Sequence, residues 1–263
     1  MSEPRILVIG EKFDDIYHVG TATRLSPEAP IPVVAVKEVI QFAGGAGNVY
    51  QNLKALGANL FLIHPTETPR KNRLVANGLQ VARWDEQDTV QPLASLPDNV
   101  ADGYDGVIIS DYGKGFFTPE SIAQLKDHLK KVPHIFVDTK GDPSRFARTM
   151  PEQVFFFPNM KEFRQHEKAY YTAKNVVRTE SEAGMTYVQY GIAKLAQPAL
   201  TRPEKVVSVC GAGDTAIAAF AYAYCKEQNV SKAMVFASQA CAVVVRKPYT
   251  AVASHEEINT LKG

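Results

Sequence analysis

Short apolar segments separated by polar and glycine-containing stretches recur along the chain. We predict a buried strand where a few apolar residues stand together between turn residues. The predicted strands of this kind are Ile6–Ile9, Leu60–Ile63, Val107–Ser110, Ile135–Val137, Val154–Phe157, Val176–Arg178 and Met185–Gln189. Several of them alternate with helical segments, which is typical of a parallel sheet covered on both faces.

Four segments have the apolar spacing of helices. They are Ala46–Leu56, Pro119–Lys131, Ala212–Lys226 and Ser231–Val244. Gly57 is a typical residue to end the first, and Thr118 before Pro119 is a favourable start for the second. The last two helices are mostly apolar, so we expect both to be buried.

Two further groups of β residues, a single segment and a pair of segments, do not fit the alternation of strands and helices. Pro32–Val39 is rich in valine, and Arg73–Ala76 is joined to Leu79–Arg83 by Asn77-Gly78. Asn-Gly suits a type I′ turn, so the second pair predicts a hairpin. We expect these segments to form a small second sheet that projects from the main one.

Composition and charge exclude several classes of protein. The chain has 263 residues, with 29 Lys and Arg against 28 Asp and Glu, so it is not broadly basic as many nucleic-acid-binding proteins are. No apolar run reaches the roughly 18–20 residues of a membrane helix. The three cysteines, Cys210, Cys225 and Cys241, form no CxxC pattern and cannot all pair, which favours a reducing compartment. We therefore expect a soluble cytoplasmic protein whose partners are small molecules, not nucleic acid or membrane.

The segment Gly211-Ala212-Gly213-Asp214 stands at the start of a predicted helix. Its glycines let an anion approach the backbone, and the first amides of the helix point at that anion. Asp214, in the first turn, is placed to take a proton from a nearby hydroxyl. Together these features suit phosphoryl transfer. The spacing alone is equally consistent with a tight loop followed by an acidic first turn.

Three other segments offer polar groups for binding. Gly44-Gly45 precedes Asn48, whose amide can bind sugar hydroxyls, although spacing alone favours a plain glycine-rich turn. Asn159 and Glu162 can orient hydrated Mg²⁺ or a phosphate, although spacing alone favours a helix cap. Asp15 follows the first strand, where open α/β sheets bind ligands, or else is a solvated loop acid.

Taken in chain order, GGAGN, N-x-x-E and GAGD resemble the markers of the ribokinase-like (PfkB) family of carbohydrate kinases. The segment TRLSPEAPIPVV at 23–34 is similar to the SRISPEAPVPV segment of members that phosphorylate heptose 7-phosphate. SDYGKG at 110–115 and VDTKG at 137–141 resemble that subfamily's SDYAKG and VDPKG. The resemblance implies a three-layer αβα ribokinase-like fold, with a mostly parallel central sheet and a small β lid.

The same resemblance implies how the chain is organised and what it binds. Residues 1–263 would form a single kinase domain, with the lid made by 16–40 and 71–85. The lid would close over the sugar, exclude water and offer a surface for a homodimer. ATP and Mg²⁺ are the implied cofactors.

Roles for single residues also follow from the resemblance. Asp214 would be the catalytic base, and the amides of Gly211, Ala212 and Gly213 the anion hole. Asp15, Gly44, Gly45 and Asn48 would bind the sugar. Lys140, Asn159, Thr179, Glu182, Gly184 and Ser238 would face the nucleotide, and Asn159 and Glu162 would also serve Mg²⁺. Arg24, Lys71 and Arg73 are candidates for a phosphate carried by the substrate, or equally a solvated strand edge.

The chain also departs from the family pattern. Glu11 replaces an aspartate that the family places near the sugar, and Glu180 replaces an arginine on the nucleotide side. The loop 246–250 lacks the glycine of GKLGT and is expected near the adenine pocket. A β–α unit between Ile63 and Arg70 is missing. Two hypotheses follow: an ATP-dependent sugar kinase acting on heptose 7-phosphate or a related sugar, or a catalytically reduced relative that binds a sugar or a protein partner.

Overall fold

The computed structural model of the protein describes residues 2–148 and 153–261. Its strands are β1 Arg5–Gly10, β2 Lys12–Leu25, β3 Pro32–Gly45, β4 Asn59–Ile63, β5 Arg70–Ala76, β6 Leu79–Glu86, β7 Gly106–Asp111, β8 His134–Thr139, β9 Val154–Phe156, β10 Asn175–Thr179, β11 Met185–Gln189 and β12 Ile192–Gln197. Its α-helices are α1 Ala46–Ala55, α2 Pro119–Leu129, α3 Ser144–Ala147, α4 Met160–Gln165, α5 Glu167–Thr172, α6 Ala212–Glu227, α7 Val230–Val244 and α8 His255–Thr260.

The larger sheet has eight strands in the order β12-β11-β10-β9-β8-β7-β1-β4. From β4 to β10 every pairing is parallel, and β11 and β12 are added antiparallel at one edge. All seven of these predicted strands lie in this sheet, with β4 partly exposed at its edge, so the expectation of a mostly parallel central sheet is confirmed. Apolar runs predicted these strands because a parallel strand is covered on both faces.

Helices cover both faces of this sheet, and β1 shows how. Its alternate residues Ile6 and Val8 pack with α1, α6 and α7 on one side. Leu7 and Ile9 pack with α2 on the other. The three-layer arrangement is therefore confirmed. Within the described residues, no helix has the length and apolar composition needed to cross a membrane.

The second sheet has four strands in the order β3-β2-β5-β6. The predicted hairpin is present but longer, and its turn residues Asn77 and Gly78 have φ of 52° and 82°, as a type I′ turn requires. The expectation of a small second sheet is thus confirmed. Its central strand β2 was not predicted. The roles of this sheet as a lid and as a dimer surface stay predictions.

The topology brings several chain segments to one edge of the larger sheet. Gly10 at the end of β1 is in register with Ser110 of β7, and Asp111 is in register with Thr139 of β8. The second sheet starts at this edge, because β2 begins two residues after β1 ends. Polar side chains that follow these strands therefore meet the start of α6.

Candidate active site

Asp214 lies in the first turn of α6 and is only 5% exposed. Its Oδ2 accepts a hydrogen bond from Nδ2 of Asn48 at 2.9 Å, and its Oδ1 accepts one from the hydroxyl of Tyr112 at 2.7 Å. Burial raises the pKa of Asp214 to about 6, and the two hydrogen bonds oppose that rise. The carboxylate is therefore fixed in orientation and able to exchange a proton near neutral pH.

Asn48 belongs to a buried chain of side chains that joins α1 to α6. Its Oδ1 accepts from Nδ2 of Asn52 at 3.1 Å, and Oδ1 of Asn52 accepts from the hydroxyl of Thr215 at 3.1 Å. Because its oxygen is engaged by Asn52, the amide nitrogen of Asn48 must face Asp214. This chain orients the donor that holds the carboxylate.

Gly211 precedes α6 in the left-handed region, with φ of 78°. A Cβ atom there would lie 2.5 Å from Nδ2 of Asn48, so a side chain would displace Asn48 from Asp214. The amide of Ala212 donates to the carbonyl of Val209 at 3.2 Å and would have to give up that bond to serve an anion. The anion hole stays a prediction that rests first on the amides of Gly211 and Gly213.

Asp15, on β2, lies at the second-sheet side of the site and is 6% exposed. Its Oδ1 is 2.5 Å from a guanidinium nitrogen of Arg73, and its Oδ2 accepts from the hydroxyl of Thr250 at 3.5 Å. A Cβ atom on Gly44 would lie 2.7 Å from Oδ2 of Asp15, and one on Gly45 would lie 2.4 Å from the carbonyl of Glu11. Gly44 thus makes room for the carboxylate of Asp15, and Gly45 for the backbone carbonyl of Glu11.

The structure places the three basic residues predicted to hold a phosphate in different surroundings. Lys71 is in register with Asp15, and its Nζ lies 3.3 Å from the ring centroid of Phe13 and 4.8 Å from that of Tyr112. Burial lowers the pKa of Lys71 to about 8. Arg73 is paired with Asp15. Arg24 is exposed near the far end of β2, nine residues beyond Asp15 or roughly 30 Å along the strand, so the fold does not bring it to the site of its own chain.

A cavity of about 630 Å³ opens on the other side of Asp214. All six residues predicted to face the nucleotide line it, together with the loop 211–214 and Tyr112: they are Lys140, Asn159, Thr179, Glu182, Gly184 and Ser238. Aliphatic side chains, among them Leu200, Val206 and Val245, line it too. The cavity therefore offers both an apolar surface and polar groups beside the glycine loop.

Asn159 and Glu162 form a helix cap, as the alternative interpretation of their spacing predicts. Oδ1 of Asn159 accepts from the amide of Glu162 at 2.9 Å, and Oε2 of Glu162 accepts from the amide of Asn159 at 2.9 Å. Oε1 of Glu162 pairs with Nζ of Lys140 at 2.9 Å, and Lys140 also pairs with the buried Asp138 at 3.0 Å. Both carboxylate oxygens of Glu162 therefore already have partners.

This donor set limits how a magnesium ion fits. Within the described residues there is no group of three or more His, Cys, Asp or Glu side chains arranged to hold a metal. Mg²⁺ often keeps several waters and is bound through one or two carboxylates and substrate phosphates. Asn159 and Glu162 would fit an ion of that kind, one held mainly by water and by the phosphates of a nucleotide.

Two positions that depart from the family pattern contact groups of the site. The carboxylate of Glu11, which stands in place of the family's aspartate, accepts from the backbone amides of Tyr112, Lys114 and Phe116 at 2.5, 2.8 and 3.0 Å. In the loop 246–250, Thr250 contacts Asp15, while Val245 just before the loop lines the cavity, so the expected place of this loop near the adenine pocket stays a prediction. Glu11 is longer than the expected aspartate, which lets it reach the loop after β7.

Sequence reasoning did not single out Tyr112 or Asn52 as parts of the site. Tyr112 lies within the SDYGKG segment, which was the one signal that could have marked it. The bond from Thr215 to Asn52 joins residues 163 positions apart, and the local sequence carries no signal for it.

Comparison with known proteins shows which family the chain resembles. A family model described as pfkB family carbohydrate kinase matches residues 119–257. The bifunctional protein HldE of a Nitratiruptor species is 32% identical, covering 97% of this chain and 64% of that protein. HldE of Helicobacter pylori is 32% identical, with 97% and 65% covered. The chain thus spans less than two thirds of the length of these relatives.

Solved structures resemble the fold along almost the whole chain. A ribokinase from Thermotoga maritima has a TM-score of 0.71 at 18% identity, covering 98% of this chain and 99% of that one. Arabidopsis thaliana ribokinase, solved with ribose and ATP, has a TM-score of 0.71 at 17% identity, covering 99% of both. The ribokinase-like fold is confirmed, and with the family match it shows that the chain belongs to the pfkB family of carbohydrate kinases.

Proposed function

We propose that the protein transfers the γ-phosphate of ATP to a hydroxyl of a sugar phosphate, with heptose 7-phosphate as the leading acceptor. The observation that carries this proposal is the buried Asp214 carboxylate, held by Asn48 and Tyr112 beside a glycine loop and a cavity of about 630 Å³. A fixed base, a loop able to receive an anion and a cavity of this size are what phosphoryl transfer requires.

The residues take the following roles in this proposal. The adenine lies against the aliphatic side of the cavity, and the phosphates point to Gly211 and Gly213. Asp214 removes the proton from the acceptor hydroxyl as the hydroxyl oxygen attacks the γ-phosphorus, and ADP leaves. The start of α6 stabilises the transferring group. Asn159 and Glu162 would help to hold a nucleotide-bound Mg²⁺, which would supply charge neutralisation on the phosphates.

Three observations support a phosphorylated sugar as the acceptor. The segment 23–34 is similar to that of heptose 7-phosphate kinases. Nearly the whole of this chain can be matched to HldE. Lys71 brings an ammonium group next to Tyr112, within the same site as Asp214. Closure of the second sheet over Asp15 would exclude water, which otherwise competes as acceptor.

Transfer of label from γ-³²P-ATP tests the proposal. With Mg²⁺ present, we expect the purified chain to phosphorylate heptose 7-phosphate faster than ribose. An Asp127→Asn variant, altered at an exposed aspartate on α2, serves as the matched control and should keep full activity. Absence of transfer to either acceptor would contradict the kinase proposal.

The same preparation tests the non-catalytic hypothesis. That hypothesis is favoured by the pairing of Asp15 with Arg73 and of Lys140 with Glu162, which satisfies predicted ligand groups internally. A ligand that binds only the folded state raises the melting temperature. Stabilisation by a sugar phosphate but not by Mg·ATP, with no transfer, would indicate a binding protein.

Removing the Asn48 amide should change the pH dependence of the reaction. In the wild type we expect kcat/KM to fall below about pH 6, where Asp214 becomes protonated. The hydrogen bond from Asn48 lowers the pKa of Asp214, so Asn48→Ala should move this acidic limb to higher pH. The loss of activity should thus be larger at pH 6.5 than at pH 8.5.

The measurement is kcat/KM from pH 5 to 9 for the wild type, Asn48→Ala and Asn99→Ala. Asn99 is exposed in the segment before β7 and provides the matched control, whose profile should overlay the wild type. An unshifted acidic limb in Asn48→Ala would show that this hydrogen bond does not tune the base.

A further inference from the structure

Tyr249 has an unusual backbone conformation for an aromatic residue. It follows α7 in the loop 246–250, and its φ is 62°, in the left-handed region. A bulky L side chain is strained in that region, because its Cβ atom lies too close to the following carbonyl oxygen. Such strain persists only where surrounding contacts hold the residue in place, and it is often found at functional sites.

The contacts that hold Tyr249 come from the second sheet. Its ring centroid lies 4.6 Å from that of Tyr17 on β2 and 5.7 Å from that of Phe42 on β3. Tyr17 and Phe42 also contact each other at 5.9 Å. Aromatic pairs of this kind are favourable beyond the area that they bury, so these contacts hold Tyr249 in its strained conformation.

This aromatic cluster borders the acceptor end of the site. Phe42 is in register with Asp15, and the guanidinium of Arg73, which pairs with Asp15, lies 5.0 Å from the ring centroid of Tyr17. Thr250, the next residue, donates to Asp15. Its Cγ2 would be 3.0 Å from a Cβ atom on Gly211, so the loop reaches from Asp15 to the glycine loop.

We infer that Tyr249 is a specificity-determining residue whose ring bounds the Asp15 end of the acceptor site and limits the size of sugar that reaches Asp214. The inference rests on the proposed function, because it takes the Asp15 end as the place where the acceptor binds. The strained backbone and the ring contacts act together: the loop presents a rigid aromatic wall at a position that glycine would occupy without strain.

Tyr249→Gly tests the inference, because glycine removes the ring and accepts a φ of 62° without cost. We measure kcat/KM for heptose 7-phosphate and for trehalose 6-phosphate, a disaccharide phosphate. The ratio of the larger to the smaller acceptor should rise at least tenfold in Tyr249→Gly. Tyr249→Phe keeps the bulk of the ring, so its ratio should stay within twofold of the wild type.

Tyr190→Gly is the matched control. Tyr190 also has a positive φ, 47°, but is 58% exposed in the turn between β11 and β12. The same change therefore relieves backbone strain away from Asp15 and should leave the acceptor ratio unchanged. A ratio within twofold of the wild type in Tyr249→Gly, or an equal rise in Tyr190→Gly, would overturn the inference.

Failure of the proposed function gives a different result. In that case the wild type transfers phosphate to neither acceptor, and calorimetric titration of the two sugar phosphates replaces the rate measurement. The inference then requires that trehalose 6-phosphate bind at least tenfold more tightly to Tyr249→Gly than to the wild type. Equal affinities, or no binding by any variant, would contradict it.

Discussion

Replacing Asp214 by asparagine is expected to lower kcat for phosphate transfer by about two to four orders of magnitude, the usual contribution of a general base. Asparagine has nearly the same shape and keeps one acceptor oxygen, but it cannot take the proton of the acceptor hydroxyl. Steady-state rates with heptose 7-phosphate and ATP measure the effect, and Asp127→Asn is the control. A variant that keeps more than a tenth of the wild-type kcat would show that Asp214 is not the base.

The same substitution should stabilise the folded protein at alkaline pH. Burial raises the pKa of Asp214 from 3.8 to about 6, so the folded state binds the proton more tightly than the unfolded state does. That contribution to stability is fully present below pH 3.8 and is lost as the pH rises through about 6. At pH 8 the ionised carboxylate therefore costs the folded state up to about 3 kcal/mol.

Urea unfolding at pH 8 and at pH 4 separates this effect from a general change in packing. At pH 8 the free energy of unfolding of Asp214→Asn should exceed that of the wild type by about 1–2 kcal/mol. The gain is smaller than the full cost of the ionised carboxylate, because the asparagine amide pairs poorly with one of the two hydrogen-bond donors. The difference should shrink at pH 4. A variant less stable than the wild type at pH 8 would mean that the hydrogen bonds of the carboxylate outweigh its desolvation.

The strands of the larger sheet could be predicted because the signal for each is local. A parallel strand buried on both faces is an apolar run, and β1, β7 and β8 are runs of this kind. Strand β2 was missed because its sequence mixes polar and apolar residues. The alternate residues Phe13, Asp15 and Tyr17 are buried, and the charged residue among them hides the alternation of apolar and polar positions.

The candidate site likewise has local features that the sequence predicts and long-range contacts that it does not. The cap formed by Asn159 and Glu162 joins residues three positions apart and follows from spacing alone. The contact between Asn48 and Asp214 joins residues 166 positions apart, so only the family resemblance placed both in one site. Arg24 shows the limit of that reasoning, because its charge suits phosphate but the length of β2 carries it away from Asp214.

Glu11 stands where the family pattern has an aspartate, and the effect of this difference depends on contacts with residues that are distant in sequence. The residue is fully buried, and its carboxylate accepts from three backbone amides of the loop that carries Tyr112. Burial raises the pKa of Glu11, and these amides oppose that rise. The carboxylate therefore fixes the loop from which the Tyr112 hydroxyl reaches Asp214.

Glu11→Ala is therefore expected to lower the free energy of unfolding by about 3–5 kcal/mol, because it leaves one buried and two partly buried amides without their acceptor, at about 1–3 kcal/mol each before relaxation. Glu11→Gln keeps the size of the side chain and one acceptor oxygen, so it should lose less than Glu11→Ala. Urea unfolding followed by circular dichroism at pH 7.5 measures both. Glu38→Ala, at an exposed position on β3, is the control and should change stability by less than about 0.5 kcal/mol. A loss below 1 kcal/mol in Glu11→Ala would mean that water replaces the carboxylate on these amides, and Tyr112 would then be held by its packing against Phe13.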